Sequence, residues 1–135
     1  MAHVLEGYDG PCKNVHGHSY RLEVTVIGSP INNSSHPKHG MVMDFGQLKG
    51  IVNKQIVTRF DHVLLVNSNS NILKHINNLS LGKIETVDYQ PTCENLLVHF
   101  ALLLSAELPP EVKLHHLKLH ETANSYAEWF ASDNE

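Results

Sequence analysis

The sequence predicts an α+β fold, an antiparallel four-stranded sheet with two helices on one face. Three observations carry that reading. Residues 20–27 and 112–121 alternate apolar and polar side chains at the two-residue period of a half-buried strand. Residues 44–60 and 92–108 place apolar side chains on one face at helical spacing. The order strand, strand, helix, helix, strand, strand groups the helices instead of alternating them with strands, so the two layers segregate.

The first strand presents Tyr20, Leu22, Val24 and Val26 on one side and Arg21, Glu23 and Thr25 on the other. Residues 28–40, with two prolines and a glycine at each end, are loop by composition. They lead to a second expected strand at 40–44, which would close a long-looped antiparallel hairpin. Asp44 is a helix N-cap, with Gln47 completing a capping-box pattern. Behind it Leu48, Ile51, Val52, Ile56 and Phe60 share one face, and the helix is expected to end near Phe60. The Asn- and Ser-rich stretch 67–80 is polar, with a short helix expected at 72–76, and residues 83–89 read as a short strand.

Thr92 caps the second helix, whose apolar face is Leu96, Leu97, Phe100, Leu103, Leu104 and Leu108, and Pro109-Pro110 stops it. In the strand at 112–121 the apolar phase shifts between Leu114 and Leu117, the signature of a bulge. Residues 125–130 form the last strand. A small sheet of this kind has open edges, which invites pairing between subunits.

A chain of 135 residues makes one domain, residues 1–135, with enough core to fold without a staple. Hydrophobic residues at 41% and charged residues at 18% are globular proportions. A net charge of −4 argues against nucleic-acid binding, and no apolar run is long enough to span a membrane. Nothing at the N-terminus has the order of a signal peptide, so Cys12 and Cys93 are expected as reduced thiols in the cytoplasm. What the totals leave unexplained is histidine: 11 residues, against 10 for Lys and Arg combined.

Spacing singles out a few of them. In His16-Gly17-His18 the imidazoles stand at i and i+2, on the same side of a strand, which is half of a metal chelate. A catalytic zinc site takes three protein ligands, and His3 is the natural third if residues 1–4 form a neighbouring strand. The plainer alternative is a polar strand face. Cys12 lies in a polar turn beside this pair, where a nearby cation favours the thiolate and makes it a base or nucleophile. Cys93 reads as a small buried residue on the apolar helix. Asp61-His62 follows the first helix; the carboxylate orients the imidazole for proton transfer, or His62 simply caps helix carbonyls. Glu121 shares strand parity with Leu117 and Leu119, a costly place for a carboxylate unless it is paired or holds a ligand. The other seven histidines, at 36, 39, 75, 99, 115, 116 and 120, are assigned surface or packing roles.

Taken in order, Ala2-His3, Cys12 through Tyr20, Gly40 through Phe45 with Leu48-Lys49, Asp61-His62, Pro91 through Asn95, and Glu121-Thr122 resemble the 6-pyruvoyltetrahydropterin and 6-carboxytetrahydropterin synthase superfamily. The likeness runs from residue 2 to about 129. Three residues between Cys12 and His16, Met43-Asp44-Phe45 and Pro91-Thr92-x-Glu94-Asn95 look more like its queuosine branch.

The resemblance implies a tunnelling fold (T-fold), in which three subunits close a barrel and two trimers stack into a homohexamer with active sites between subunits. It implies a zinc ion on His3, His16 and His18, with Cys12 as the base and His62, oriented by Asp61, as its acid/base counterpart from a neighbouring subunit. Glu121 would clamp the pterin ring, and Thr92 and Glu94 would make further pterin contacts. The implied reaction is zinc-dependent lysis of 7,8-dihydroneopterin triphosphate to 6-carboxytetrahydropterin, acetaldehyde and triphosphate. Alternatives are the pyruvoyl-forming synthase, acting on the same substrate, and a non-catalytic pterin- or metal-binding oligomer. The family places a full strand before its Ala-His, whereas here Met1 and Ala2 precede His3, so the third ligand is expected on a frayed terminus.

Overall fold

The alternating segments fold as read. In a computed structural model, which describes residues 1–76 and 82–134, β3 (Arg21–Gly28) pairs antiparallel with β6 (Val112–His120). β6 in turn pairs antiparallel with β7 (Tyr126–Phe130). Thr25 faces His116 and Val26 faces Leu114, so His115 is the extra residue of the expected bulge. Leu114, Leu117 and Leu119 turn inward and are buried, with Leu22, Val24, Val26 and Trp129 packed against them. The opposite face carries Glu23 paired with Arg21 and His120, and Glu128 paired with His116.

The helical layer also follows its signals. The Asp44 Oδ1 accepts the backbone N–H groups of Gly46 and Gln47 and starts α1 (Phe45–Val52). Gln47 does not close the capping box; its side chain accepts from Lys38 instead. Helical backbone continues through a π turn at Asn53–Val57 into α2 (Thr58–Phe60). The wider turn rotates the face and leaves Ile56 and Phe60 as the buried anchors. A short α3 occupies Asn71–Ile76, close to expectation. Of the polar stretch 67–80, residues 77–80 lie outside the described residues.

Thr92 caps α4 (Cys93–Ser105) through the Asn95 N–H, and Leu96, Leu97, Phe100 and Leu104 are buried on its inner face. Each such leucine contributes roughly 1.5–3 kcal/mol by leaving water. The Phe60 and Phe100 rings meet edge to face, 5.1 Å between centroids, and tie the two helical segments together.

Three expectations are corrected. Residues 40–44 form no strand. Gly40 turns through φ +81°, Ile31 exchanges backbone bonds with Gly40 and Met41, and Asp44 is already a cap, which leaves too few residues for a ladder. The strands also divide between two sheets instead of forming one antiparallel four-stranded sheet. β1 (Ala2–His3), β2 (His16–Gly17), β4 (Leu64–Asn67) and β5 (Ile84–Val87) make a second sheet in the order β2-β1-β4-β5, with β1–β4 and β4–β5 parallel. The chain leaves this sheet at Gly17 and enters the other at Arg21, so residues 18–20 bridge the two. The run Val63-Leu64-Leu65-Val66 is the continuous apolar pattern of a strand covered on both faces.

The third correction concerns the terminus. β1 is central in its sheet: Ala2 donates to the Val63 carbonyl at 2.8 Å, and His18 donates to that of Met1 at 3.1 Å. His3 is therefore held between two strands and is not frayed. Among the described residues no helix is long and apolar enough to cross a membrane.

Candidate functional site

Strand register assembles the histidines. His3 on β1 stands opposite His16 on β2, and His18 follows two residues later on the same side. One nitrogen from each ring lies within 4.8 Å of the other two. His3 is 1% exposed, because β1 has neighbours on both edges and Pro91 above it.

Two carbonyls fix the tautomers. The His3 Nδ1 lies 2.7 Å from the Pro91 oxygen and the His16 Nδ1 lies 2.7 Å from that of Asn14. A carbonyl only accepts, so each Nδ1 carries the proton and donates it. Both Nε2 atoms then present lone pairs, and they face each other at 3.1 Å. The His18 Nε2 is buried with no hydrogen-bond partner among the described residues. Two facing lone pairs beside a third, orphaned ring nitrogen are unfavourable without a cation between them, and neutral imidazoles are what zinc and similar ions bind. The donor set fits a metal. Burial keeps the His3 ring below the ordinary imidazole pKa, an effect partly offset by the Pro91 bond and reinforced by His16.

Glu121 sits just past β6, where sequence parity puts it on the inner side. Its Oε1 is 3.6 Å from the His3 Nε2 and 3.7 Å from the His18 Nε2. Tyr20 donates to that same oxygen at 2.9 Å. Burial first, and then the Glu121 charge, push the Tyr20 phenol well above its ordinary pKa, so it remains a donor. The alternating pattern marks Tyr20 only as a strand residue, although it shares parity with His16 and His18. The roles of the Pro91 and Asn14 carbonyls have no side-chain signal at all.

Cys12 lies half-buried in a single turn of 3-10 helix, Pro11–Lys13, and its carbonyl accepts from Leu5, two residues past β1. Cys93 is a free, buried thiol that donates to the Leu119 carbonyl, and burial pushes it up to about 11, as suits a packing residue.

Asp61 and His62 form a pair at 2.9 Å, with the ring Nδ1 facing the carboxylate. The hydrogen bond from His62 holds the Asp61 carboxyl below its usual range. His62 does not cap the helix; it takes a left-handed φ of 54°, uncommon outside glycine, and its side chain is 91% exposed. The pair lines a cleft of ≈ 480 Å³ together with His18, Tyr20 and the apolar wall of Leu22 and Leu119. Cys12, Glu121, Thr92 and Glu94 stand outside that lining. Thr92 acts as a helix cap, and Glu94 is exposed in the first turn of α4.

Fold and site define a class: an α+β protein that gathers three imidazoles and a carboxylate around one point beside a cleft. Comparison with known proteins narrows it. The sequence profile described as 6-pyruvoyl tetrahydropterin synthase matches residues 1–132, and the chain belongs to that family. The 6-carboxy-5,6,7,8-tetrahydropterin synthase of Haemophilus influenzae is 30% identical over 136 residues, covering 96% of this chain and 91% of its own. The protein of the same name from Rickettsia typhi is 34% identical, covering 93% and 90%. The crystal structure of an uncharacterized protein from Wolinella succinogenes superposes with a TM-score of 0.75 over 96% of this chain and 92% of that one. At 17% identity it speaks for the fold alone.

Proposed function

We propose that the chain is a 6-carboxy-5,6,7,8-tetrahydropterin synthase, converting 7,8-dihydroneopterin triphosphate to 6-carboxytetrahydropterin, acetaldehyde and triphosphate in queuosine biosynthesis. The observation that carries the reading is the set of three imidazole nitrogens, one orphaned, beside the Glu121 carboxylate. It is supported by the names of relatives that match nearly the whole chain.

Zinc held by His3, His16 and His18 would supply Lewis acidity toward the oxygens of the substrate side chain. Cys12, as thiolate, takes a proton from that side chain. His62 is the counterpart acid/base, kept by Asp61 in the tautomer that leaves its Nε2 free. Glu121 accepts adjacent pterin N–H groups with both carboxylate oxygens. Thr92 keeps its O–H free to donate while its oxygen caps α4, and Glu94 supplies a second acceptor nearby.

The assembly belongs to the same proposal. β3 and β7 are open edges of the three-stranded sheet, and exposed His62 is available to a neighbouring copy. The reading is a T-fold homohexamer, a dimer of trimers in the cytoplasm, with sites completed between subunits. The test is incubation of zinc-loaded protein with dihydroneopterin triphosphate and an assay for acetaldehyde. Acetaldehyde with 6-carboxytetrahydropterin is expected. A pyruvoyl product without acetaldehyde would transfer the assignment to the reading that the family's own name carries, and no turnover at all would leave a pterin or metal binder.

A further inference from the structure

His62 is held in place by something other than packing. Its side chain is 91% exposed, and its φ of 54° is a conformation that a non-glycine residue keeps only where its surroundings over-determine it. The Asp61 carboxylate orients the ring at 2.9 Å, but Asp61 is itself exposed and next in the chain, so the two can move as one unit. What fixes the pair against the rest of the molecule is the backbone on either side of it.

Both sides are tied to the same strand. Downstream, the Leu64 N–H donates to the Lys83 carbonyl at 3.0 Å, one residue before β5 begins. Upstream, the Asp61 N–H closes onto the Val57 carbonyl at 2.9 Å, so the pair rides on the last turn of α2. Phe60 anchors that turn in the core, but a single anchor leaves the turn free to swivel about it. Two side chains of equal strand parity remove that freedom. The Lys83 Nζ donates to the Thr58 carbonyl at 2.6 Å, filling one of the acceptors that a helix end leaves open and placing a cation at the negative end of the dipole. The Glu85 Oε1 accepts from the Arg59 Nε in an ion pair between partly buried side chains. Lys83 alone therefore spans the corner: its ammonium holds residue 58, its carbonyl holds residue 64, and His62 lies between.

We propose that Lys83 and the Arg59–Glu85 pair are positioning residues for His62. They clamp the last turn of α2 to β5 and so hold an exposed acid/base ring in one place, ready for a site completed by a neighbouring copy. The catalytic use of the ring rests on the pterin-synthase reading above; the clamp rests on the hydrogen bonds alone.

The test combines Lys83→Met with Arg59→Met, which keeps both apolar stems and removes both donors. Its melting temperature, measured first, should show that the fold is retained. Backbone 15N relaxation on the protein as purified then reads the corner directly. The His62 amide is expected to have an order parameter of about 0.85 in the wild type and below about 0.6 in the double variant, with Leu65 and Val66 on β4 rigid in both. In the acetaldehyde assay kcat should fall about tenfold or more while KM stays within about twofold, because a misplaced acid/base group weakens the transition state and not substrate binding. A His62 amide equally rigid in both proteins, or already mobile in the wild type, overturns the proposal. So does a loss of order that spreads through β4, or an unchanged kcat in a protein that turns over. Wild-type protein without turnover sinks the pterin reading instead, and the relaxation comparison still decides the clamp.

Discussion

In the three-stranded sheet, Leu117 and Leu119 have almost no contact with water, and strands of five to nine residues pair along their whole length. In the four-stranded sheet, β1 and β2 are two residues each, and the side chains they bring together are His3 and His16. The first region is organised by apolar burial, which stabilises whatever the cell supplies. The second spends its central position on a polar ring, and its donor atoms repel one another until a cation is present. The contrast teaches where this chain keeps stability and where it keeps chemistry, and it makes the two separable by substitution.

The largest effect belongs to the first region. Leu117→Ala empties a fully buried position between β6 and the helices and should cost about 2–5 kcal/mol in chemical denaturation. Zinc affinity of the fraction that remains folded should be little altered. His18→Ala should reverse the pattern. It deletes an orphaned polar atom, so the stability of metal-free protein moves by about 1 kcal/mol or less, whereas zinc affinity falls by about a hundredfold or more. If each substitution damaged both properties equally, the two regions would not be independent.

The smallest effect is on pH. Burial first, and then Arg59, lower the pKa of His99, which accepts from or donates to Tyr89 beside a second cleft. Burial does the same to His3. A histidine lowered in the folded state binds its proton more readily when unfolded. Stability of the metal-free protein is therefore complete above the ordinary imidazole pKa near 6.5 and falls as pH drops below it, until the folded-state values are reached. Denaturation midpoints across pH 5–8 should show this slope, and His99→Gln should flatten part of it. A midpoint that rises on acidification would contradict the burial argument for both rings.

Much of the stable region was legible in the sequence because its signals are local and periodic. Alternation gave β3 and β6, the phase shift between Leu114 and Leu117 gave the bulge at His115, and Asp44 and Thr92 marked the helix starts that the structure uses. The chemical region was legible only in part. His16 and His18 follow from strand parity, but the position of His3 depends on a parallel pairing with β4, sixty residues away, that no local pattern announces. For the same reason the expected single antiparallel sheet became two. The strand expected at 40–44 failed because a left-handed Gly40 and a capping Asp44 claim its ends. The hydrogen-bonding role of Tyr20 leaves no mark in the sequence, because apolar and hydrogen-bonding uses of a phenol look alike in a period-two pattern.

The central claim is that one cation belongs where the three imidazoles meet. Anomalous X-ray scattering above and below the zinc edge, on crystals of protein purified without chelator, tests it directly. The account predicts a single zinc peak within bonding distance of the Nε2 atoms of His3, His16 and His18, with the Glu121 carboxylate still held by Tyr20. Full zinc occupancy at another histidine cluster, or zinc-supplemented crystals with no peak at this one, would contradict it.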